Sequence, residues 1–369
     1  MAFLFAPPGF LELVSAELRK SLHYIAACAM LAEGRSWEET LVEQVRIGIL
    51  GCARICRQAL IEAVAQVPEV EIVAVASRDA ARAQAYANDH GIRRAHGGYE
   101  ALLADDDVEV VYNPLPNSLH AEWTINALSG GKAVLCEKPL ASNAAQAGQM
   151  VAAARRADRP LIEAFHYRHH PVARFIAEHV RSGELGRLRQ IDAILNIPGR
   201  LLRPDDIRFQ EALAGGATMD VGSYCINILR LVAGVEPTVI SASASTVAPR
   251  VDGAMRARLA FLGETKGSIE CSLTHESLVA RLLIEGERGG LVAENPFLPQ
   301  LGGSSVTITV DGEARTEQFD RTPTYVFQLR SLVDVIRNGA ASPTPAEDGV
   351  ANMKVIDAVY TAAGLGLRG

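Results

Sequence analysis

Between residues 46 and 165, short apolar runs alternate with segments whose apolar positions recur at helical spacing. Arg46-Ile47-Gly48-Ile49-Leu50-Gly51, Glu71–Ala76, Val108–Tyr112, Ala133–Cys136 and Pro160–Phe165 read as strands. Ile55–Val67, Asp79–His90, Leu119–Ser129 and Asn143–Ala157 read as helices. Strands that are apolar throughout are buried on both faces, and their alternation with helices specifies a parallel sheet with helices on each side. Right-handed crossovers make this a doubly wound, Rossmann-type α/β domain. After Pro171 the rhythm shifts. A helix (Val172–Arg181) leads into an alternating strand (Leu188–Ile197), and a helix near Met219–Val232 precedes strands at Thr238–Thr246, Ala254–Phe261, Lys266–Leu273, Val279–Glu285 and Ser305–Val310. Arg256-Ala257-Arg258-Leu259-Ala260-Phe261 alternates residue by residue, as a sheet with one covered face requires. An α+β domain with a large, open, mainly antiparallel sheet follows. Its free face is a place for another subunit, so a homodimer or higher homo-oligomer is expected there. Helices at Tyr325–Asn338 and Glu347–Ala363 close the chain.

The pattern divides the chain into an N-terminal extension (1–45), a doubly wound domain (46–168) of the kind that can hold a dinucleotide, a second domain (169–345) expected to take substrate and to carry oligomerisation, and a C-terminal helix (346–369) expected to pack back on the first domain. In the extension, Leu11, Val14, Leu18, Leu22 and Ile25 recur at helical spacing, without residues that suggest chemistry.

Composition narrows the function classes. A chain of 369 residues is more than one core usually serves, and 49% hydrophobic with 21% charged residues is ordinary for a packed protein. A net charge of −7 argues against a nucleic-acid partner. No apolar run is long enough to span a bilayer, and Met1–Lys20 does not read as a secretory signal, so no membrane association and a cytoplasmic location are expected. The six cysteines form no CxxC pair; reduced thiols fit that compartment.

The first strand ends in Gly51-Cys52-Ala53-Arg54-Ile55-Cys56. A dinucleotide fingerprint needs glycines for the turn, the approach of backbone to pyrophosphate, and close helix packing. Only Gly51 fits cleanly; Ala53 and Cys56 stand at the second and third positions. The context is better than the pattern: a strand before, a helix N-terminus after, and a second strand about 20 residues on. That second strand ends Ser77-Arg78-Asp79. A hydroxyl and a guanidinium suit a 2′-phosphate, which points to NADP ahead of NAD, and Asp79 reads as an N-cap. Arg78 could equally be a solvated surface charge.

Two further constellations sit where open α/β sheets bind ligands: Tyr112-Asn113-Pro114-Leu115-Pro116-Asn117 with His120, and Cys136-Glu137-Lys138-Pro139. Together with Gly215-Gly216 and Asp220-Val221-Gly222-Ser223-Tyr224, they make the chain resemble the glucose–fructose oxidoreductase/inositol dehydrogenase-like (Gfo/Idh/MocA) oxidoreductases. Glu163-Ala164-Phe165-His166-Tyr167-Arg168 resembles the branch with dimeric dihydrodiol dehydrogenases, NADP-dependent xylose dehydrogenases and anhydrofructose reductases.

The resemblance implies Lys138 as central catalytic lysine, before a proline bonded in cis, with Tyr224 as proton donor where many members carry histidine. Asp220 would orient Lys138 or a substrate hydroxyl. It also implies a cofactor site from Gly51, Ala53, Arg54, Ile55, Ser77, Arg78, Asn113, Pro114, Leu115, Asn117, His120, Glu137 and Lys138. The chemistry is hydride transfer between nicotinamide and a carbinol or carbonyl carbon of a sugar, cyclic polyol or dihydrodiol. A proton must then move on or off the oxygen, and a nearby ammonium is expected to lower the phenol's pKa. Tyr167 and Arg168 are expected to border the substrate pocket, as candidate substrate contacts, or the crossing between domains, and Arg208, in the loop from Leu201 to Gly216, is a further candidate substrate contact. His166, His169 and His170 share no fixed face, so no metal is expected. The alternative is a non-catalytic nucleotide-binding sensor of the same fold.

Overall fold

The computed structural model describes residues 43–369. The helix expected over Leu11–Ile25 lies outside the described residues.

The apolar runs of the first half form six parallel strands: β1 (Val45–Leu50), β2 (Val70–Ala76), β3 (Arg94–His96), β4 (Val110–Asn113), β5 (Ala133–Cys136) and β6 (Leu161–Glu163). Their order is β3-β2-β1-β4-β5-β6, so the winding reverses between β1 and β4. Loops that leave the carboxyl ends of these two strands part there and open a crevice. A helical segment follows β1, π-type over Arg57–Ile61 and α-helical over Glu62–Val64. Helices α1 (Ala80–His90), α2 (Tyr99–Leu103), α3 (Asn117–Ser129) and α4 (Ala144–Ala157) connect the later strands. Asp79 caps α1 as expected, accepting from the amides of Ala81 and Arg82. The three-residue β3 was not legible as a strand: Arg94-Ala95-His96 has no apolar run, and only pairing with β2 makes it one.

After α5 (Pro171–Arg181), β7 (Leu188–Pro198) is central to an eight-stranded sheet ordered β14-β13-β12-β11-β7-β10-β9-β8. The others are β8 (Thr238–Ala248), β9 (Val251–Ala260), β10 (Lys266–His275), β11 (Val279–Gly286), β12 (Gly289–Glu294), β13 (Ser304–Val310) and β14 (Glu313–Phe319). The β7–β10 pair is parallel and the remaining pairs antiparallel. Two of these strands escape the sequence pattern. β12 begins with two glycines, and β14 is a polar edge strand exposed along most of its length.

α6 (Ser223–Ala233) packs on the covered face of this sheet, against β7 and β10. A π-type turn, Thr218–Gly222, leads into it, so the helix expected from Met219 starts as a wider coil. α7 (Thr324–Asn338) returns to the first sheet: Tyr325, Val326, Leu329 and Leu332 enter the same core as Val45, Ile47 and Ile49. α8 (Ala346–Ala362) packs against α4, where the Asp357 carboxylate accepts from the Ala144 amide, and against β8 and α6.

One buried carboxylate anchors the π-type turn. Asp252 accepts from the amide and hydroxyl of Thr218 at 2.7 Å each, and from the Tyr360 hydroxyl at 2.8 Å. Gly216 passes beside it at φ +132°, and a Cβ there would lie 2.1 Å from Asp252 Oδ1. Glycine is required by both conformation and space.

Candidate active site

A cavity of about 260 Å³ opens at the crevice between the two sheets. Its floor is the end of β5. Burial of the preceding apolar strand brings Glu137 and Lys138 to the carboxyl edge, and the Lys138–Pro139 peptide is cis, as the resemblance implied. Glu137 turns back into the first domain: its carboxylate accepts from the Tyr112 hydroxyl at 2.7 Å, and burial raises its pKa. Lys138 turns across the crevice. Its Nζ donates to Asp220 Oδ1 at 2.7 Å and to the Asp220 carbonyl at 2.9 Å, and lies 4.9 Å from the centre of the Tyr224 ring. The ammonium of the first domain and the phenol of α6 therefore meet, with Asp220 on the same face of the turn.

The charges continue as an alternating row. Asp220 Oδ2 accepts from Arg208 Nε at 2.6 Å, and Arg208 Nη1 donates to Asp206 Oδ1 at 3.0 Å. Asp206 in turn accepts from Arg54 Nη2 at 2.6 Å. Burial pushes the Asp220 carboxyl upward, but Arg208 and then Lys138 outweigh it and hold the pKa well below the usual range. The Asp220 charge conversely raises that of Arg208. Each cation thus faces a carboxylate.

Tyr224 behaves differently from the sequence expectation. Its phenol is driven well above its usual pKa, first by burial, with Tyr325, Glu137 and Asp220 adding to the effect. The expected lowering is not seen, and the Lys138 ammonium is itself paired with Asp220. The phenol is in contact with His166 Nε2 at 2.8 Å. Phe165 and Phe297 pack around the ring, with centroids at 5.4 and 5.8 Å.

The other expected residues separate into three groups. Ile55, Pro114, Leu115, Asn117, His120, Glu137 and Arg208 line the cavity with the catalytic candidates. Asn113 braces the loop above, donating to Thr124 Oγ1 and the His120 carbonyl while accepting from the Leu115 amide. His120 ring nitrogens face the carbonyls of Leu115 and Pro139, with its pKa lowered by burial to about 4. Gly51, Ala53, Ser77 and Arg78 lie at the ends of β1 and β2, beyond this cavity.

Tyr167 and Arg168 are not at the cleft. The 3₁₀ turn His166–His169 directs His166 inward and the next two side chains away. Tyr167 is fully buried and donates to Asn227 Oδ1 at 2.6 Å; Arg168 bonds Asn227, Asp348 and the Pro343 carbonyl. His170 caps α5 through the Val172 amide. Among the described residues, no cluster of His, Cys, Asp or Glu has the arrangement of a metal site. His166 entered the sequence reading within the Glu163–Arg168 resemblance and as a metal candidate, without a part in the chemistry; its contact with the phenol depends on the 3₁₀ turn, which leaves no periodic signal.

The residues at β1 and β2 fit a dinucleotide. Gly51 adopts φ +79°, and no acceptor among the described residues takes the amide hydrogens of Ala53 or Arg54. Cys56, at the third fingerprint position, is buried beneath the turn and packs in the core, its thiol pushed up to about 12 by burial. A small side chain fits where close packing is needed. Arg78 is exposed at the end of β2, beside the Tyr99 hydroxyl.

Comparison with known proteins agrees with this geometry. The family description "oxidoreductase family, NAD-binding Rossmann fold" matches residues 45–165, and the GFO/IDH/MocA C-terminal domain matches residues 173–292. An NADP(+)-dependent D-xylose 1-dehydrogenase of Haloferax volcanii is 38% identical over 322 residues, 86% of this chain and 97% of that protein. A trans-1,2-dihydrobenzene-1,2-diol dehydrogenase of Sus scrofa is 35% identical over 60% of this chain and 65% of its own. The crystal structure of a 3-ketoreductase from Actinomadura kijaniata, in complex with NADP and TDP-benzene, superposes with a TM-score of 0.79 at 30% identity, covering 86% of this chain and 98% of that one. The chain belongs to the GFO/IDH/MocA family of oxidoreductases.

Proposed function

We propose that this protein is an NADP-dependent dehydrogenase or reductase that acts on a carbinol or carbonyl carbon of a small sugar, cyclic polyol or dihydrodiol, with Lys138, Tyr224 and Asp220 as its catalytic set. The observation that carries the reading is the meeting of Lys138 and Tyr224 across the crevice. When bound, the dinucleotide supplies the hydride acceptor or donor. Gly51, Ala53, Arg54 and Ile55 would hold its pyrophosphate and Ser77 with Arg78 its 2′-phosphate. Lys138 would donate to the substrate oxygen and stabilise alkoxide character on it. Asp220 would fix the Lys138 ammonium, and Tyr224 would move the proton at the oxygen. The cavity is walled by apolar residues such as Leu195, Ile197, Val221 and Phe297 and closed by paired charges, which suits a neutral, compact, polyhydroxylated substrate.

A sensor that only binds nucleotide has no use for a lysine–tyrosine pair at the cleft, and the relatives named above are dehydrogenases and reductases. We further infer the domain limits 46–168, 169–345 and 346–369, and self-association into a homodimer or larger homo-oligomer through the open sheet. There the half-buried Ile194, Leu283 and Val292 lie among ion pairs such as Arg281–Glu294 and Arg256–Glu270. Among the described residues no helix is long and apolar enough to cross a membrane, and we place the protein in the cytoplasm.

The test is absorbance at the reduced-nicotinamide band with NADP or NAD against D-xylose, inositols and trans-dihydrobenzenediol. Lys138→Met and Tyr224→Phe should lose about 10²- to 10⁴-fold in kcat while still binding NADPH by fluorescence. Full turnover by Lys138→Met would remove the assignment.

A further inference from the structure

A buried line of hydrogen bonds starts at the Tyr224 phenol and leads away from the cleft. Tyr224 Oη lies 2.8 Å from His166 Nε2, and His166 Nδ1 lies 2.7 Å from Thr324 Oγ1. The Thr324 hydroxyl donates to Gln300 Oε1 at 3.4 Å. His166 and Thr324 are buried, whereas Gln300 is partly exposed, next to the exposed Leu301.

One order of the hydrogens satisfies all three contacts at once: Thr324 gives its single proton to Gln300, and its oxygen accepts from the imidazole Nδ1–H. A neutral imidazole has only that proton, which leaves Nε2 to accept the O–H of Tyr224. Burial holds His166 neutral, lowering its pKa to about 3, and Lys138, His169 and His170 act in the same direction. The aromatic ring of Tyr325 covers the imidazole at 4.4 Å. The phenol's hydrogen is thus directed at His166, and its lone pairs remain for a hydroxyl in the cavity.

This order answers a difficulty in the chemistry. A base at the cleft must take the carbinol proton, yet burial keeps Tyr224 a phenol and Lys138 is engaged by Asp220. We propose that His166, backed by Thr324, is a proton relay that lets Tyr224 accept the substrate proton while passing its own outward through Gln300.

The step balances as follows, and it rests on the redox reading above. The carbinol C–H bond breaks, its hydrogen and electron pair go to the oxidised nicotinamide, and the C=O bond forms. The hydroxyl proton moves to Tyr224 Oη. The phenol's former proton moves to His166 Nε2, the Nδ1 proton to Thr324 Oγ1, and the threonine proton to the Gln300 amide oxygen and on to water. The imidazole changes tautomer without holding a charge. Reduction runs the same line inward. His166 lines the cavity beside Tyr224 and acts here through the phenol, as a positioning residue.

The decisive measurement needs no turnover. In ¹⁵N-histidine-labelled protein without ligands, the His166 ring, assigned by its loss in His166→Gln, should be the Nδ1–H tautomer from pH 5.5 to 8. An Nε2–H tautomer, or an imidazolium within that range, overturns the relay while leaving the redox reading intact. In the oxidation of a substrate that the screen above identifies, Thr324→Val should lower kcat about 10- to 100-fold with KM within twofold, and Thr324→Ser should restore most of it. Wild-type kcat in Thr324→Val overturns the relay. Absence of turnover on every probe sinks the redox reading instead, which the tautomer measurement does not touch.

Discussion

Replacing Asp220 by Asn, Lys138 by Met, and both together tests whether the charges at the base of the cleft hold one another in place. Asp220 binds two cations, Lys138 at 2.7 Å and Arg208 at 2.6 Å. Arg208 keeps Asp206 when Asp220 is neutralised, but Lys138 pairs with no other carboxylate among the described residues. Asp220→Asn therefore strands an ammonium whose side chain is only 12% exposed. Breaking a buried pair from one side costs about 3 kcal/mol. Lys138→Met removes the charge itself and leaves Asp220 with Arg208, so the loss is about 1 kcal/mol, that of a partly compensated hydrogen bond. The double variant has no stranded ammonium and should be as stable as Lys138→Met, a coupling of about 3 kcal/mol.

At about 2 °C per kcal/mol for a chain of this size, thermal unfolding should show Tm falling by about 6 °C in Asp220→Asn. The other two variants should each fall by about 2 °C. The depressed Asp220 pKa places its contribution above the ordinary value of 3.8, to be lost as pH falls further. The difference between wild type and Asp220→Asn should then be constant from pH 6 to 8. Additive single effects, or a larger loss from Lys138→Met than from Asp220→Asn, would refute the reasoning.

Two further outcomes follow from separate parts of the molecule. Arg78→Ala should raise KM for NADP about 10- to 100-fold and leave KM for NAD within twofold, the loss of one or two charge-assisted hydrogen bonds to a phosphate; equal changes for both cofactors would clear Arg78 of that role. Glu163 is buried, with one oxygen accepting from the Leu140 amide and the other without a partner, and burial raises its pKa to about 8. A raised carboxyl pKa makes folding less favourable as pH climbs from 4.5, where the unfolded chain ionises, to about 8. Glu163→Gln should match wild type near pH 4.5 and exceed its Tm by a few degrees at pH 8, and a pH-independent difference between the two would count against a protonated Glu163.

The first domain was legible because its central strands are apolar on both faces, and burial fixes such segments whatever surrounds them. The strands at the edges, β3 and β14, are made by pairing with a neighbour and leave little trace in their own residues. At the site, Lys138 stood out as a charge ending a buried strand, whereas Asp220 and Tyr224 were picked out by the family resemblance, their spacing adding only that they share a helical face. The contacts that complete the site join residues far apart in the chain: Arg54 with Asp206, Arg208 with Asp220, and Tyr224 with His166. No local pattern encodes these. Of the two places expected for Tyr167 and Arg168, the 3₁₀ turn takes them away from the pocket and to the crossing between domains, against Asn227 and Asp348.

The row Arg54, Asp206, Arg208, Asp220, Lys138 also bears on how such a pocket can diverge. The ends of the row differ from its middle: losing Lys138 leaves Asp220 with Arg208 and losing Arg54 leaves Asp206 with Arg208, whereas losing Asp220 leaves Lys138 without a carboxylate. Laboratory evolution towards acidic substrates should therefore meet its folding penalty at Asp220, whose single replacement is selected against for poor folding more than for poor chemistry, and not at the two ends of the row.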